Sequence, residues 1–342
     1  MRASANRVSR RSALRLCGVA AAAPFVQLGA AGWSGGARAG DRPLPQLTLW
    51  GPPAGPSITL AHAVAQGMLR EVADKVEFKA WRNPDEMRAG LTSRTMQAVV
   101  VPTQVAANLF NRGLGVRLVN VMTDGLLYVV ANDPALTTLE SLRGRKVAVP
   151  FRNDTPEFVF QRLLKSRRMA ADVDLMVETA GTPIEAIQLL LAGRLDAAVV
   201  PEPAATAAIM RGKLAGKAIA RAIDIQKLWA DVNGQGRGTL PQAGLAVTTA
   251  FNSEHPQLVA RLHEHLAEAA AAVVAAPAVA ASSAAAALEL PWPIIEQSIP
   301  WSNLVCRRAA EARPALEAMF ATIAEGDAAL LGGRLPAEEF YV

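Results

Sequence analysis

The sequence predicts an α/β protein of two lobes, each a mainly parallel sheet flanked by helices, with the chain crossing between them at two hinge points. Three observations carry this. The chain has 342 residues, 51% of them hydrophobic, enough for two compact cores of ordinary size. A twenty-residue segment recurs: residues 83–102 (NPDEMRAGLTSRTMQAVVVP) align without a gap on 182–201 (TPIEAIQLLLAGRLDAAVVP), 99 positions later, with seven identities. Short β-branched runs alternate with helix-forming stretches, the order that builds parallel sheets.

Residues 1–39 read as an export signal that is removed. They hold Arg2, Arg7, Arg10, Arg11, Arg15 and Arg38 and no acid, with an apolar run over 16–31 and Ala37-Arg38-Ala39 as a cleavage site. Ser9-Arg10-Arg11-Ser12-Ala13-Leu14 is similar to the twin-arginine signal, with Ala13 where Phe is usual, so the twin-arginine and Sec routes both stay open. The run is too short and too rich in Ala and Gly for an anchor. Cys17 follows Arg15 and Leu16, where a lipidation site wants small residues. The formal charge of +5 comes from this segment; the remainder has 29 Lys+Arg against 30 Asp+Glu. A mature chain without positive excess is not built for nucleic acid. With Cys17 in the leader, Cys306 stands alone, which leaves no internal disulfide and no cysteine-based metal site.

The first lobe is expected over 40–131 plus 245–342 and the second over 132–244. In the first, 47–50 is a short strand and Pro56 opens the next helix; in the second, 146–149 and Pro156 repeat this at nearly the same offset. In the recurring segment, Asn83 and Thr182 are helix caps, Pro84 and Pro183 suit the first helical position, and Glu86 and Glu185 are placed for capping boxes. The runs 98–101 and 197–200 are then buried strands, each stopped by a proline.

Residues 116–131, with the turn dipeptide Asp124-Gly125, are expected to finish the first sheet before the break at Asn132-Asp133-Pro134. The glycine-rich 233–238 closes the second lobe as a loop; it lacks the Lys-Ser/Thr and preceding strand of a phosphate cradle. Residues 244–249 return to the first lobe, so the crossings near 131 and 244 form the hinge. Residues 267–290 are largely Ala and are split by Pro277, which predicts two helices and no membrane span. An aromatic tail at 332–341 docks on the body.

The segments Leu142-Arg143-Gly144-Arg145-Lys146-Val147-Ala148-Val149-Pro150 and Ala192-Gly193-Arg194-Leu195-Asp196-Ala197-Ala198-Val199-Val200-Pro201-Glu202-Pro203 resemble the periplasmic substrate-binding proteins of ABC importers, in the group that includes sulfonate, nitrate and thiamine-precursor binders. The resemblance spans most of 46–255. It implies the type II periplasmic-binding-protein fold, a small-molecule ligand held between the lobes, and delivery to a membrane permease with its ATPase. It also implies a periplasmic monomer without cofactor, metal or catalytic residues. Two other readings use the same scaffold: a secreted ligand-sensing partner of a receptor kinase, and a periplasmic enzyme. The similar thiamine-pyrimidine synthases carry a cysteine-rich iron motif that one cysteine cannot supply. His62, His255, His263 and His265 form no H-E-x-x-H pair, and His263 and His265 do not share a helix face.

Ligands of open α/β sheets sit beyond the carboxyl ends of the strands, here 50–57, 102–104, 150–155 and 201–203. Trp50 and Tyr128 offer planar stacking beside Gly51 and Pro52. Thr103, Gln104, Asn153 and Thr155 offer hydrogen bonds, and the helix starts after Ser57 and Asp154 favour anions. Arg152 favours an anion; Asp154 and Glu202 favour a cation or amine. Each also has an architectural alternative: Asp154 or Thr155 as a helix cap, Arg152 paired with Asp154, Trp50 in the core.

Overall fold

A computed structural model of the chain describes residues 42–342 apart from 82, 153 and 234–238. The expected export signal over 1–39, the candidate Asn153 and most of the glycine-rich loop lie outside the described residues.

The chain runs β1 (Leu44–Gly51), α1 (Gly55–Ala65), β2 (Ala73–Ala80), α2 (Pro84–Thr92), β3 (Ala98–Pro102) and α3 (Thr103–Asn111). Three strands follow: β4 (Val116–Leu118), β5 (Asn120–Thr123) and β6 (Leu127–Ala131). Then come β7 (Lys146–Pro150), α4 (Thr155–Ser166), β8 (Met176–Ala180), α5 (Pro183–Leu191), β9 (Ala197–Pro201), α6 (Ala204–Leu214), β10 (Ala220–Asp224) and α7 (Ile225–Asn233). The last stretch is β11 (Ala243–Thr248), α8 (Thr249–Glu254), α9 (Pro256–Ala275), α10 (Pro277–Leu288), α11 (Trp292–Ser298), β12 (Leu304–Arg308) and α12 (Ala309–Asp327).

The recurring segment folds alike in both places. Glu86 N donates to Asn83 Oδ1 at 2.9 Å and Glu185 N to Thr182 Oγ1 at 3.1 Å, so α2 and α5 begin with the same cap followed by the same proline. β3 and β9 then carry fully buried runs. Val99 and Val101 pack on one face of their sheet while Ala98 and Val100 pack on the other. Burial on both faces is why these strands read as continuous apolar runs instead of alternating ones.

Among the described residues, one sheet has seven strands, ordered β12-β5-β11-β3-β1-β2 with β4 also on β11; the other has five, ordered β10-β6-β9-β7-β8. The strands β2-β1-β3 and β8-β7-β9 are parallel. Their neighbours are antiparallel: β11 on β3, β4 and β5, β12 on β5, β6 on β9, and β10 on β6. Both sheets are therefore mixed, which corrects the expectation of mainly parallel ones. Helical crossovers keep β1 to β3 and β7 to β9 parallel, whereas β6 and β11 enter from the other sheet's side without such a crossover.

A second correction concerns 116–131, expected to finish the first sheet. Only β4 and β5 lie there; β6 pairs with β9 and β10 in the second. All five residues of β6 are buried, and a central place between two neighbours suits such a strand. The chain thus leaves the first sheet at the Asp124-Gly125 turn and returns just before β11. The two crossings are joined: Gln242 N donates to Thr123 O at 3.2 Å, and Leu126 N donates to Gln242 Oε1 at 3.3 Å.

The apolar stretch after β11 is two helices, α9 and α10, that break before Pro277 and bend by 116°. No single described helix is long and apolar enough to cross a membrane; this bent pair passes by length and composition together. Leu258, Leu262, Leu266 and Ala269 of α9 pack on the first sheet, with Leu49 and Leu245. At the C-terminus Phe340 is buried against Phe110, ring centroids 5.4 Å apart, and Val342 N donates to Leu118 O at 2.9 Å.

Candidate functional site

The carboxyl ends of β1, β3, β7 and β9 face one another across a cavity of about 80 Å³, with Pro52, Pro102, Phe151 and Pro201 on its wall. Three helices start there: Pro56 of α1, Pro84 of α2, and Thr155 and Pro156 of α4 line it too. Six prolines in one wall follow from the chain's own punctuation. Two stop buried strands, three open helices where an N–H is not needed, and Pro52 follows β1. Phe151 holds a left-handed backbone, φ +60°, a conformation a bulky residue adopts only when its surroundings enforce it. A water's share of liquid volume is about 30 Å³, so the cavity admits a group of a few heavy atoms.

A larger groove of about 590 Å³ lies between α4 and α12, beside Arg162, Lys165 and Glu325. It runs along helix flanks and gathers no strand end, so the smaller cavity is the candidate site.

Asp154 is the acid of that cavity. It is 3% exposed, and its Oδ1 accepts from Thr155 N at 2.7 Å and Gln104 Nε2 at 3.2 Å. The half-buried Arg88 approaches Oδ2 at 3.5 Å. Burial pushes the Asp154 carboxyl above its usual range, while the Thr155 amide, Arg88 and Gln104 pull against that rise. Gln104 and Arg88 belong to α3 and α2, which flank the first sheet, and Asp154 to the second, so these bonds tie the two sides together. Gly55 N donating to Glu202 O at 3.2 Å is a further tie.

Of the sequence candidates, Pro52, Asp154 and Thr155 line the cavity, and Gln104 reaches it through Asp154 and Thr155. Thr103 is buried alongside, donating from Oγ1 to Pro241 O at 2.6 Å at the second crossing. Ser57 is fully buried in the first turn of α1 with no partner for its hydroxyl, and Gly51 lies against it, where a Cβ would overlap that hydroxyl. Trp50 is half-buried with its indole Nε1 unpartnered and the Lys79 ammonium 5.8 Å from its ring. Arg152 is exposed and off the cavity wall.

Glu202 and Tyr128 form a separate cluster. Glu202 is fully buried, its Oε1 accepting from Arg221 Nε at 2.7 Å and its Oε2 from Thr206 Oγ1 at 2.8 Å. Burial pushes its carboxyl up; Arg221 and Thr206 pull it down. The Arg221 guanidinium lies 4.3 Å from the Trp301 ring centroid and 5.5 Å from that of Tyr128, whose hydroxyl donates to Trp301 O at 2.9 Å. Trp301 precedes β12 of the first sheet and Arg221 is in β10 of the second, so this contact also spans the two.

Elsewhere, Cys306, His263 and Asn120 meet behind the first sheet, with Cys306 Sγ 3.8 Å from His263 Nδ1. Burial pushes the Cys306 thiol up to about 12, which leaves almost no thiolate near neutral pH.

Residues 58–227 match the family model described as the periplasmic substrate-binding protein of a phosphonate ABC transporter. The chain belongs to the periplasmic substrate-binding proteins of ABC transporters. Solved structures share the fold. An ABC transporter protein from Parabacteroides distasonis is 22% identical, with a TM-score of 0.70 over 87% of this chain and 98% of that one. The aliphatic sulphonate binding protein SsuA from Escherichia coli is 16% identical, with a TM-score of 0.65 over 82% and 86%. The nitrate-binding protein NrtA from Synechocystis PCC 6803 is 14% identical, with a TM-score of 0.58 over 75% and 70%. A search of curated proteins returns no match. The family is one of substrate-binding proteins working in the periplasm, beside small-molecule ligands and permeases.

In this substrate-binding protein the sequence reading missed Arg88, Trp81, Gln242 and Phe151 at the cavity, and Arg221 and Trp301 at the second cluster. Gln242 flanks the strand found at 244–249, so its position carried a signal; Trp81 follows β2, a strand the sequence analysis did not locate. Arg88 and Arg221 carried none, because nothing local distinguishes them from solvent-facing arginines.

Proposed function

We propose that this chain captures a small anionic ligand in the proline-walled cavity and hands it to an ABC permease and its ATPase, doing no chemistry on it. The observation that carries this is the convergence of three helix starts on one small cavity at four strand ends, since the positive end of a helix favours negative charge. The opposing carboxylates are already balanced: Glu202 by Arg221, and Asp154 by Arg88 and the start of α4. Phosphonate, sulphonate and nitrate, which the matched family and structures name, are small anions of this kind. The two sheets with their helices act as the two lobes, hinged at the paired crossings. Export uses the leader over 1–39, by the twin-arginine or Sec route, and the mature chain works as a monomer. The buried Cys306 thiol and the closed ion pairs favour binding over catalysis.

The test is calorimetric titration of the mature protein with methylphosphonate, methanesulfonate, nitrate and methylamine. At least one anion binds and the amine does not. Binding of the amine with no response to any anion overturns the reading.

A further inference from the structure

The second sheet has an end opposite the cavity, where β7, β8, β9 and β10 start and β6 stops. Register shows which residues meet there: Ala220, Ala131 and Ala197 lie side by side on β10, β6 and β9, and Lys146 lies beside Met176 on β7 and β8. The segments at this end, 132–146, 167–176, 192–196 and 213–219, hold eight Lys and Arg against five Asp and Glu. The chain beyond residue 39 has no such excess. Arg143 meets Asp174, Arg145 meets Asp133 and Asp196, and Arg167 meets Glu140. Lys146, Arg168, Arg194, Lys213 and Lys217 have no acid partner among the described residues, and all but the half-buried Lys217 are exposed. Lys217 Nζ comes within 3.9 Å of the point where Gly193 would carry a Cβ, which brings it beside Arg194. The same end carries the two most exposed large apolar side chains of the described residues, Leu214 at 90% and Val173 at 84%, together with Met176 at 58%.

We propose that this end of the second sheet rests on an anionic lipid surface. The unpaired ammonium and guanidinium groups lie among the lipid phosphates, and the tips of Leu214, Val173 and Met176 enter the interface. The inference does not depend on which ligand the cavity takes. Lipid suits this end better than an acidic protein because its apolar tips stand apart. Leu214 precedes β10 and Val173 precedes β8, the outer strands of a five-stranded sheet and about 19 Å from each other. A protein partner would need a separate pocket for each tip, at a fixed spacing. A fluid headgroup layer accepts an aliphatic tip at any lateral position and gathers anionic lipid under the cations. β7 and β9 are five residues long, so the cavity lies about 17 Å away at the sheet's other end and stays open to ligand. A carrier held in this way is confined to the surface in which a permease lies.

The test is co-sedimentation of the mature protein with vesicles of phosphatidylcholine alone and of phosphatidylcholine with about one-third phosphatidylglycerol. The protein is expected to partition at least about tenfold more strongly onto the anionic vesicles, and to come off as salt is raised toward about 1 M. A cation near such a surface contributes about fivefold, so Lys213→Gln with Lys217→Gln lowers the partition by about 25-fold. Leu214→Ser, which removes an apolar tip and no charge, lowers it by about tenfold. Lys75→Gln with Lys227→Gln removes the same charge from exposed sites away from this end and leaves the partition within about twofold. All five substituted side chains lie on the surface, so melting temperatures near wild type establish that the variants are folded. Equal partition onto the two vesicle types, or equal losses in the two lysine pairs, overturns the proposal. A patch that serves an acidic protein surface instead leaves both vesicle types bare, and that result overturns it too.

Discussion

At the residue scale, Glu202 and Asp154 are both buried acids beyond the ends of strands, and their surroundings give them different work. The Glu202 carboxylate is satisfied on both oxygens, by Arg221 and by Thr206, so it holds the second sheet's edge together. Removing Arg221 leaves a buried charge without a partner. Arg221→Ala is expected to destabilise the protein by about 3–5 kcal/mol, read as a lowered denaturant midpoint. Glu202→Gln in the same chain recovers part of the loss, because the stranded charge is gone. In the sequence, Arg152 and Glu202 point to opposite ligand charges. The fold resolves this by leaving Arg152 exposed and neutralising Glu202 with an arginine nineteen positions away. No local pattern marks that pairing, because an antiparallel neighbour such as β10 is set by the sheet and not by spacing along the chain.

At the element scale, the parallel cores were legible because their signals are local: a capping side chain, a proline and a short apolar run, repeated 99 positions on. The antiparallel strands were less so. β6 was found as a strand and assigned to the wrong sheet, since an all-apolar run states that it is buried without stating where. β11 must thread between β3 and β5, and its Gly244 shows how closely. A Cβ there would overlap the Asn120 carbonyl oxygen, which belongs to backbone and cannot swing aside. Gly244→Ala is expected to cost about 1–3 kcal/mol, toward the upper end, seen as a lower melting temperature with unchanged secondary structure in the parallel cores.

At the scale of the whole molecule, the two sheets meet through helix packing, α4 on α12 and α6 on α11, and through polar and ring contacts that include Gln104 and Arg88 with Asp154, Gly55 with Glu202, and Trp301 with Arg221. A cation over an aromatic face contributes about 0.5–2 kcal/mol, comparable to the bias a two-state hinge needs. Trp301→Ala is expected to enlarge the unliganded protein in small-angle scattering, with the difference from wild type closing as ligand saturates the cavity. The sequence located the strand ends that meet here. It was silent on Trp301, which lies in a stretch with no repeat and no motif.

The ring of six prolines around the cavity has one more consequence. A proline residue has no amide hydrogen, so these six wall positions are blind to deuterium exchange. A ligand seated there would leave its imprint on the turns behind the rings, at the amides of Ser57, Glu86 and Glu157, and on Gly55 and Leu126 at the junctions. Slowed exchange at those separated points, with the six proline positions silent between them, is the isotopic outline that an occupied cavity should cast.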